Sequence, residues 1–202
     1  MSGTTGTTEL MAINIMLTAI GSSPISSLTG AQTADGTIAK NILDEIRRAV
    51  LSKGWAFNSE TKKTFAIDGA GAVDVPSNVL AIDVTDGYNT DVDAIQRGTE
   101  MYDKRNHTAV FTKDLTCDVI YNLELEDIPE TGRRYITIRA ARVLHDRVIG
   151  SQNEHMYTLQ DEMFAQADMQ EHEAMTGDYN IFDTITTKAI INRGRPLDGI
   201  GF

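Results

Sequence analysis

Four carboxylates, Glu124, Glu126, Asp127 and Glu130, crowd one short stretch of the chain. Paired carboxylates can serve as general acid and as nucleophile or base in glycoside hydrolysis. That chemistry also needs a cleft, one carboxyl with a raised pKa, and usually aromatic platforms for the sugar. Aromatic residues make up only 6% of the chain. The cluster sits at a turn before a helix, where acids are favoured by the positive end of the helix dipole. Asp168 and His172 are one helical turn apart, but two ligands without a third make no metal site. Cys117 lies between Leu115 and Val119 in an alternating apolar stretch and reads as a core residue with no activating neighbour. There is no glycine-rich phosphate loop, no cysteine pair at metal spacing and no Gly-x-Ser-x-Gly elbow. No catalytic, cofactor-binding or metal-ligating residue is therefore assigned.

The totals narrow the class further. The chain has 202 residues, 29 acidic and 18 basic, for a formal net charge of -11. Such a balance disfavours bulk binding to phosphate backbones and to anionic membrane surfaces. A hydrophobic share of 41% and a charged share of 23% are ordinary for a globular protein. The single cysteine excludes an intrachain disulfide. No stretch approaches the roughly 20 apolar residues of a membrane span. Residues Met1 to Thr8, rich in Thr and Gly, read as a flexible leader rather than a signal peptide.

Helical periodicity opens the ordered chain. Leu10, Ile13, Met16, Leu17 and Ile20 predict a helix over about Glu9–Ile20, capped by Thr7 or Thr8 and ended by Gly21. After a loop containing Pro24, a second helix is expected over Thr33–Ser52, with Ile38, Ile42, Ile46, Val50 and Leu51 inward and Gly54 as its C-cap. Trp55 and Phe57 should plug the junction between this helix and the sheet. From Lys62 to Asp127 the period becomes two. Short strands are expected around Phe65–Ile67, Val73–Val75, Leu80–Val84, Ala94–Gln96, Met101–Tyr102, Val110–Phe111 and Cys117–Leu123.

A third helix is expected from Pro129 or Glu130 to Ile149, with Tyr135, Ile138, Ala141, Leu144 and Val148 inward and Arg139, Arg142 and Arg147 on other faces. A fourth should run from Gln152 to Met175, with Met156, Leu159, Met163, Ala167 and Met169 or Gln170 inward and Glu154, Asp161, Glu162 and Asp168 outward. The opposite charges of these two helices nominate Arg139, Arg142, Arg147, Glu154, Asp161, Glu162 and Asp168 as a subunit interface. Exposed pairs are each worth only about 0.2–1 kcal/mol, so they set register more than stability. The expected architecture is α+β: an antiparallel helical bundle from the two ends of the chain (9–58 and 129–177), an inserted antiparallel β-rich domain (59–128), the leader (1–8) and an extended C-terminal arm (178–202). Lys188, Arg193 and Arg195 make the arm basic.

Several words in order resemble a known family. They are Glu9-Leu10-Met11-Ala12-Ile13-Asn14 followed by Leu17, Ile20, Gly21, Pro24 and Ile25; Gly54-Trp55-Ala56-Phe57-Asn58; Pro76, Asn78, Leu80 and Asp83; and Arg97-Gly98 before Met101-Tyr102-Asp103. Ile128-Pro129-Glu130, Arg134-Tyr135-Ile136, Ala140-Ala141-Arg142, Gln160-Asp161-Glu162, Ala165 and Asn180 complete the series. Together they resemble tail tubular protein A, the head-to-tail adaptor and gatekeeper of T7-like short-tailed bacteriophages, over about Glu9 to Arg195.

The resemblance implies a helix bundle with an inserted β-rich domain and a structural role in the virion tail. Members form a twelve-membered ring between the portal protein and the tail nozzle protein (tail tubular protein B), dock tail fibres, and line the channel for ejected double-stranded DNA. It implies assembly in the host cytoplasm, no cofactor and no membrane partner. On this reading Lys188, Arg193 and Arg195 form a portal-docking arm, and the loops at 86–93 and 105–108 contact nozzle or fibre. An acidic channel wall would repel DNA and keep it from sticking. Two competing readings remain: a cell-wall glycan hydrolase using Glu124, Glu126 or Glu162, and a stand-alone binding module.

Overall fold

The structure, a computed structural model, describes residues 6–29, 33–85, 87–150 and 152–176, with only the backbone for 152–158. The expected arm with Lys188, Arg193 and Arg195, the first five residues of the leader, Asp86 and the Glu154 side chain lie outside the described residues. The described chain mixes helix and sheet, as an α+β protein does. Its order is α1 (Glu9–Ala19), α2 (Ala34–Leu51), β1 (Ser59–Phe65), β2 (Val79–Val84), β3 (Ala94–Arg97), β4 (Glu100–Asp103), β5 (Leu115–Tyr121), α3 (Glu130–Val148) and α4 (Gln152–Thr176). Single tight helical turns at Ala56–Asn58 and Leu125–Asp127 bracket the strands.

The helix ends follow local chemistry. Thr8 caps α1 by accepting from the Met11 N–H, and Thr33 caps α2 by accepting from the Gly36 N–H at 3.1 Å. Past α2, Gly54 takes a φ of +72°, and a Cβ there would stand 2.8 Å from the Ile120 side chain. Only glycine satisfies both conditions.

The apolar stripes of the four helices bury one core. Ile13, Met16 and Leu17 of α1 meet Ile42, Leu43 and Leu51 of α2, Tyr135, Ile136, Ala140 and Leu144 of α3, and Ala165 and Met169 of α4. α3 packs against each of the other three helices. A second core lies among the strands: Phe65, Val73, Val75, Ala94, Met101, Phe111, Leu115, Cys117 and Val119. β5 is the centre of a three-stranded antiparallel sheet ordered β1-β5-β2, and β3 pairs with β4 as a separate hairpin. Along β5 the inward residues are Leu115, Cys117 and Val119, as period two requires. The edge strand β1 carries a bulge at Lys62 (φ +57°), whose N–H reaches the Asp118 carboxylate at 2.8 Å. A bulge flanked by lysines discourages edge-to-edge pairing.

Asn58 joins the two regions. Its amide donates to Leu51 O at the end of α2 and to Tyr121 O at the end of β5, at 3.0 and 2.8 Å, while its oxygen accepts from the Trp55 N–H at 2.8 Å. Trp55 donates its indole N–H to Val50 O and stacks on Phe57 with centroids 6.5 Å apart.

Several expected details differ. Val73–Val75 and Val110–Phe111 are not strands; the first contributes one isolated bridge, Asp74 to Glu100, and both supply apolar side chains from loops. Ile38 and Val148, expected inward, are exposed. On α4 the inward face is Glu162, Ala165, Met169 and Glu173, while Leu159 and Met163 point outward. The helix is turned from its expected setting because α3 offers Arg139 and Arg142 to Glu162.

Candidate interaction surfaces

The α3–α4 seam is built around Glu162, which is 8% exposed. Arg142 Nε donates to one of its oxygens, and Arg139 Nε stands 3.7 Å from the other. Arg142 also donates to Asp146 at 3.0 Å, one turn further along α3. Burial works against the Arg142 charge, but the hydrogen bond and charge of Glu162, with Asp146, outweigh it and hold the guanidinium above its ordinary range. Arg139 donates to the Tyr135 hydroxyl at 2.9 Å. Arg147 grips Glu45 of α2 with both terminal nitrogens, at 3.0 and 2.9 Å. Of the charged residues nominated from sequence for contacts between subunits, Arg139, Arg142, Arg147 and Glu162 are thus engaged within the chain. Asp161 and Asp168 are exposed on α4.

The outer side of α4 carries large apolar side chains among its acids and glutamines. Met163 is 63% and Phe164 61% exposed, with Leu159 and Met175 also exposed along the helix. At 3.6 residues per turn Leu159, Met163 and Ala167 form one row away from Ala165 and Met169. α4 therefore carries two apolar faces, and only one is covered among the described residues. α1 shows a smaller uncovered pair, Met11 and Ile15, one turn apart. The outward row of α4 escaped the sequence reading because periodicity detects an apolar face without saying what it packs against. The adjacent pair Met163-Phe164 was the available signal, since two neighbouring large apolar residues cannot share one narrow inward stripe.

The carboxylates that could have been catalytic instead hold the start of α1 and the end of α2. Glu130 accepts from the Thr7 N–H at 2.9 Å and from its hydroxyl, which together with Arg133 hold the Glu130 carboxyl below its usual range. Arg133 donates to Thr7 O at 3.1 Å and to Ile128 O at 2.6 Å. Glu126 accepts from the Glu9 N–H at 2.8 Å, and Glu124 pairs with Arg47. Nothing in the sequence marked Thr7 and Arg133 as partners.

The loops nominated in the β-region are brought together. Arg105 donates to Thr90 O at 3.0 Å, Lys113 pairs with Asp91 at 2.6 Å, and Asn89 bridges Asp114 O and the Thr116 N–H, each at 3.0 Å. Asp103 organises the loop after β4. It accepts from the backbone N–H of Asp93, Arg105 and Asn106 and from the Asn106 amide at 2.6 Å. Burial raises its pKa, and these hydrogen bonds more than offset that and leave the carboxyl below its usual range. The platform encloses a shallow cavity of about 230 Å³ between Asp91, Asn106, Thr108, Val110 and Lys113. Cys117 lies in the core beneath, its thiol pushed up to about 11 by burial, then by Asp118 and Asp83.

Among the described residues no three His, Cys, Asp or Glu side chains converge as metal ligands, and no helix is long and apolar enough to cross a membrane. What the chain offers instead is surface: an uncovered apolar helix row, a polar loop platform and a welded junction between them. An exposed apolar row of this kind marks a surface that other proteins cover. The tail tubular protein family model matches residues 10–179, and the chain belongs to that family. It is a structural component of a phage tail. No curated protein matches the chain.

Proposed function

We propose that this chain is the ring-forming adaptor between the portal and the tail nozzle of a short-tailed bacteriophage. Twelve copies form a ring whose lumen is part of the DNA ejection channel. The helices, 9–58 and 129–177, act as an antiparallel bundle that builds the ring, and the inserted region 59–128 carries the loops that meet nozzle protein or tail fibre. The arm at 178–202, with Lys188, Arg193 and Arg195, reaches the portal. DNA passes without sequence-specific binding, and the acidic balance keeps it from adhering. The ring assembles in the host cytoplasm and serves in the virion.

The observation that carries this reading is the family match across 10–179. The uncovered apolar row of α4 supports it, because large exposed apolar patches mark sites that other protein surfaces cover. A closed ring needs a head-to-tail contact between two different faces of one chain. Asp161, Asp168 and Glu154 serve as its charged margin, whereas Arg139, Arg142, Arg147 and Glu162 contribute by holding the helices that present it.

Native mass spectrometry of the chain, alone and with its cognate portal, tests the reading. A twelve-copy species on the portal is expected. A chain that stays monomeric and ignores the portal overturns it. Loss of portal binding on deleting residues after Thr187 is expected if the arm docks there.

A further inference from the structure

We infer that in the free chain residues 184–197 fold back on the outer side of α4 and cover Met163 and Phe164. The inference goes beyond the ring reading, because it says where the arm rests before the portal takes it. Met163 is 63% and Phe164 61% exposed, and Leu159 and Met175 on the same helix are exposed as well. Large apolar side chains left outside in this way mark a surface that another segment or chain covers.

Charge selects the occupant. Between 159 and 175, α4 exposes Asp161, Asp168 and Glu171, and none of the three has an ion-pair partner among the described residues. No lysine or arginine occurs between Arg147 and Lys188 to neutralise them. Residues 184–197 are the reverse: they carry Lys188, Arg193 and Arg195 and no carboxylate, since Asp183 and Asp198 stand just outside. The same stretch holds Ile185, Ile190, Ile191 and Leu197, so it brings apolar side chains together with the cations that this face of α4 lacks. Apolar contact at the centre with opposite charges at the margin is the layout of a protein contact surface.

Reach selects the chain's own copy. α4 ends at Thr176, and Thr184 comes eight residues later. Those residues can span up to roughly 28 Å, whereas Phe164 lies only about 18 Å back along the helix. A tether this short holds the stretch near α4 at a roughly millimolar effective concentration, far above that of a second copy in dilute solution. The contact adds to neither core, because both cores are complete within residues 12–169. Capture of Lys188, Arg193 and Arg195 by the portal therefore lifts the arm without unfolding the chain and bares the row.

The test is oxidation of the free full chain by dilute hydrogen peroxide, with each methionine followed by peptide mass spectrometry. Met11, 51% exposed on α1, and the fully buried Met16 and Met101 serve as fast and slow references. Met163 is expected to oxidise at least five-fold more slowly than Met11. Replacing Lys188→Glu, Arg193→Glu and Arg195→Glu together is expected to bring Met163 up to the Met11 rate with an unchanged melting temperature. Oxidation of Met163 at the Met11 rate in the unaltered chain overturns the seating and leaves the ring reading standing. Protection that survives the charge reversal overturns it too, and protection that fades on dilution means that another copy supplies the cover, which also overturns it. Failure of the chain to assemble on its portal removes the ring reading, while slow oxidation of Met163 restored by charge reversal still establishes the seating.

Discussion

The helical and β regions solve the problem of surface differently. In the helices, polar groups are spent on seams and straps, as in Glu162 between two arginines and Glu130 on Thr7, and large apolar side chains are left outside on α1 and α4. Among the strands, loop residues such as Val73 and Phe111 turn inward while Val110 and Tyr88 stay exposed, and much of the outside is a network of Asp103, Asn89, Arg105 and Lys113. The contrast teaches that the helical surface, with Met163, Phe164 and Met175 outside, gains more by being covered than the β surface, whose loops are tied by polar contacts. A permanent contact suits the first and a polar, water-tolerant contact suits the second.

The sharpest way to break this comparison is to weaken one core at a time. Leu17→Ala and Leu115→Ala each empty a fully buried site and are expected to cost about 2–5 kcal/mol. With pulsed labelling of Cys117, the β-region variant is expected to speed labelling below the main unfolding transition, and the helical variant is not. Equal acceleration by both would mean one cooperative unit. Glu162→Gln leaves Arg139 without its counter-charge and Arg142 with Asp146 alone, at an expected cost of about 2–3 kcal/mol, below the range for fully buried pairs because the seam is partly open. Urea unfolding followed at a helical band checks it. Asp103→Ala removes the acceptor of four hydrogen bonds from the loop platform, with a lower melting temperature and faster proteolysis at 104–108 expected.

The effects of pH should separate by region as well. Cys117 has a folded-state pKa raised to about 11, so its contribution is fully present below the ordinary thiol value of about 8.5 and is lost as pH rises toward 11. Cys117→Ala is expected to flatten the alkaline side of the stability profile. Asp103 and Glu130 are lowered, so their contributions are present above about pH 4 and are lost as pH falls through their folded-state values. The smallest effect on the isolated chain is expected from Met163→Glu, within about 0.5 kcal/mol by thermal melting, because the site is exposed. A large loss would mean that this row packs inside the chain.

Much of the fold was legible from local rules. Thr8, Thr33, Gly54 and Gly150 mark helix boundaries by capping or by positive φ, and those conditions belong to a residue and its near neighbours. Period-two alternation located β5 and β2 for the same reason. The loop platform was visible only as two separate polar stretches, since nothing local says that Arg105 reaches Thr90. Asn58 shows the same limit: the word Gly-Trp-Ala-Phe-Asn signals a junction, but the tie to Tyr121 spans two elements far apart in sequence.

By itself, then, the sequence determined the family, the four helices, the alternating strands and the lack of a recognisable catalytic motif. Each of these comes from residue type at short spacing, where backbone geometry links pattern to structure directly. Only the tertiary structure decided which side of α4 faces inward. A helix with two apolar faces has two acceptable rotations, and its own pattern is equally content with either. Arg139 and Arg142 on α3 break that tie by giving Glu162 its counter-charges, and Met163 and Phe164 are left pointing out.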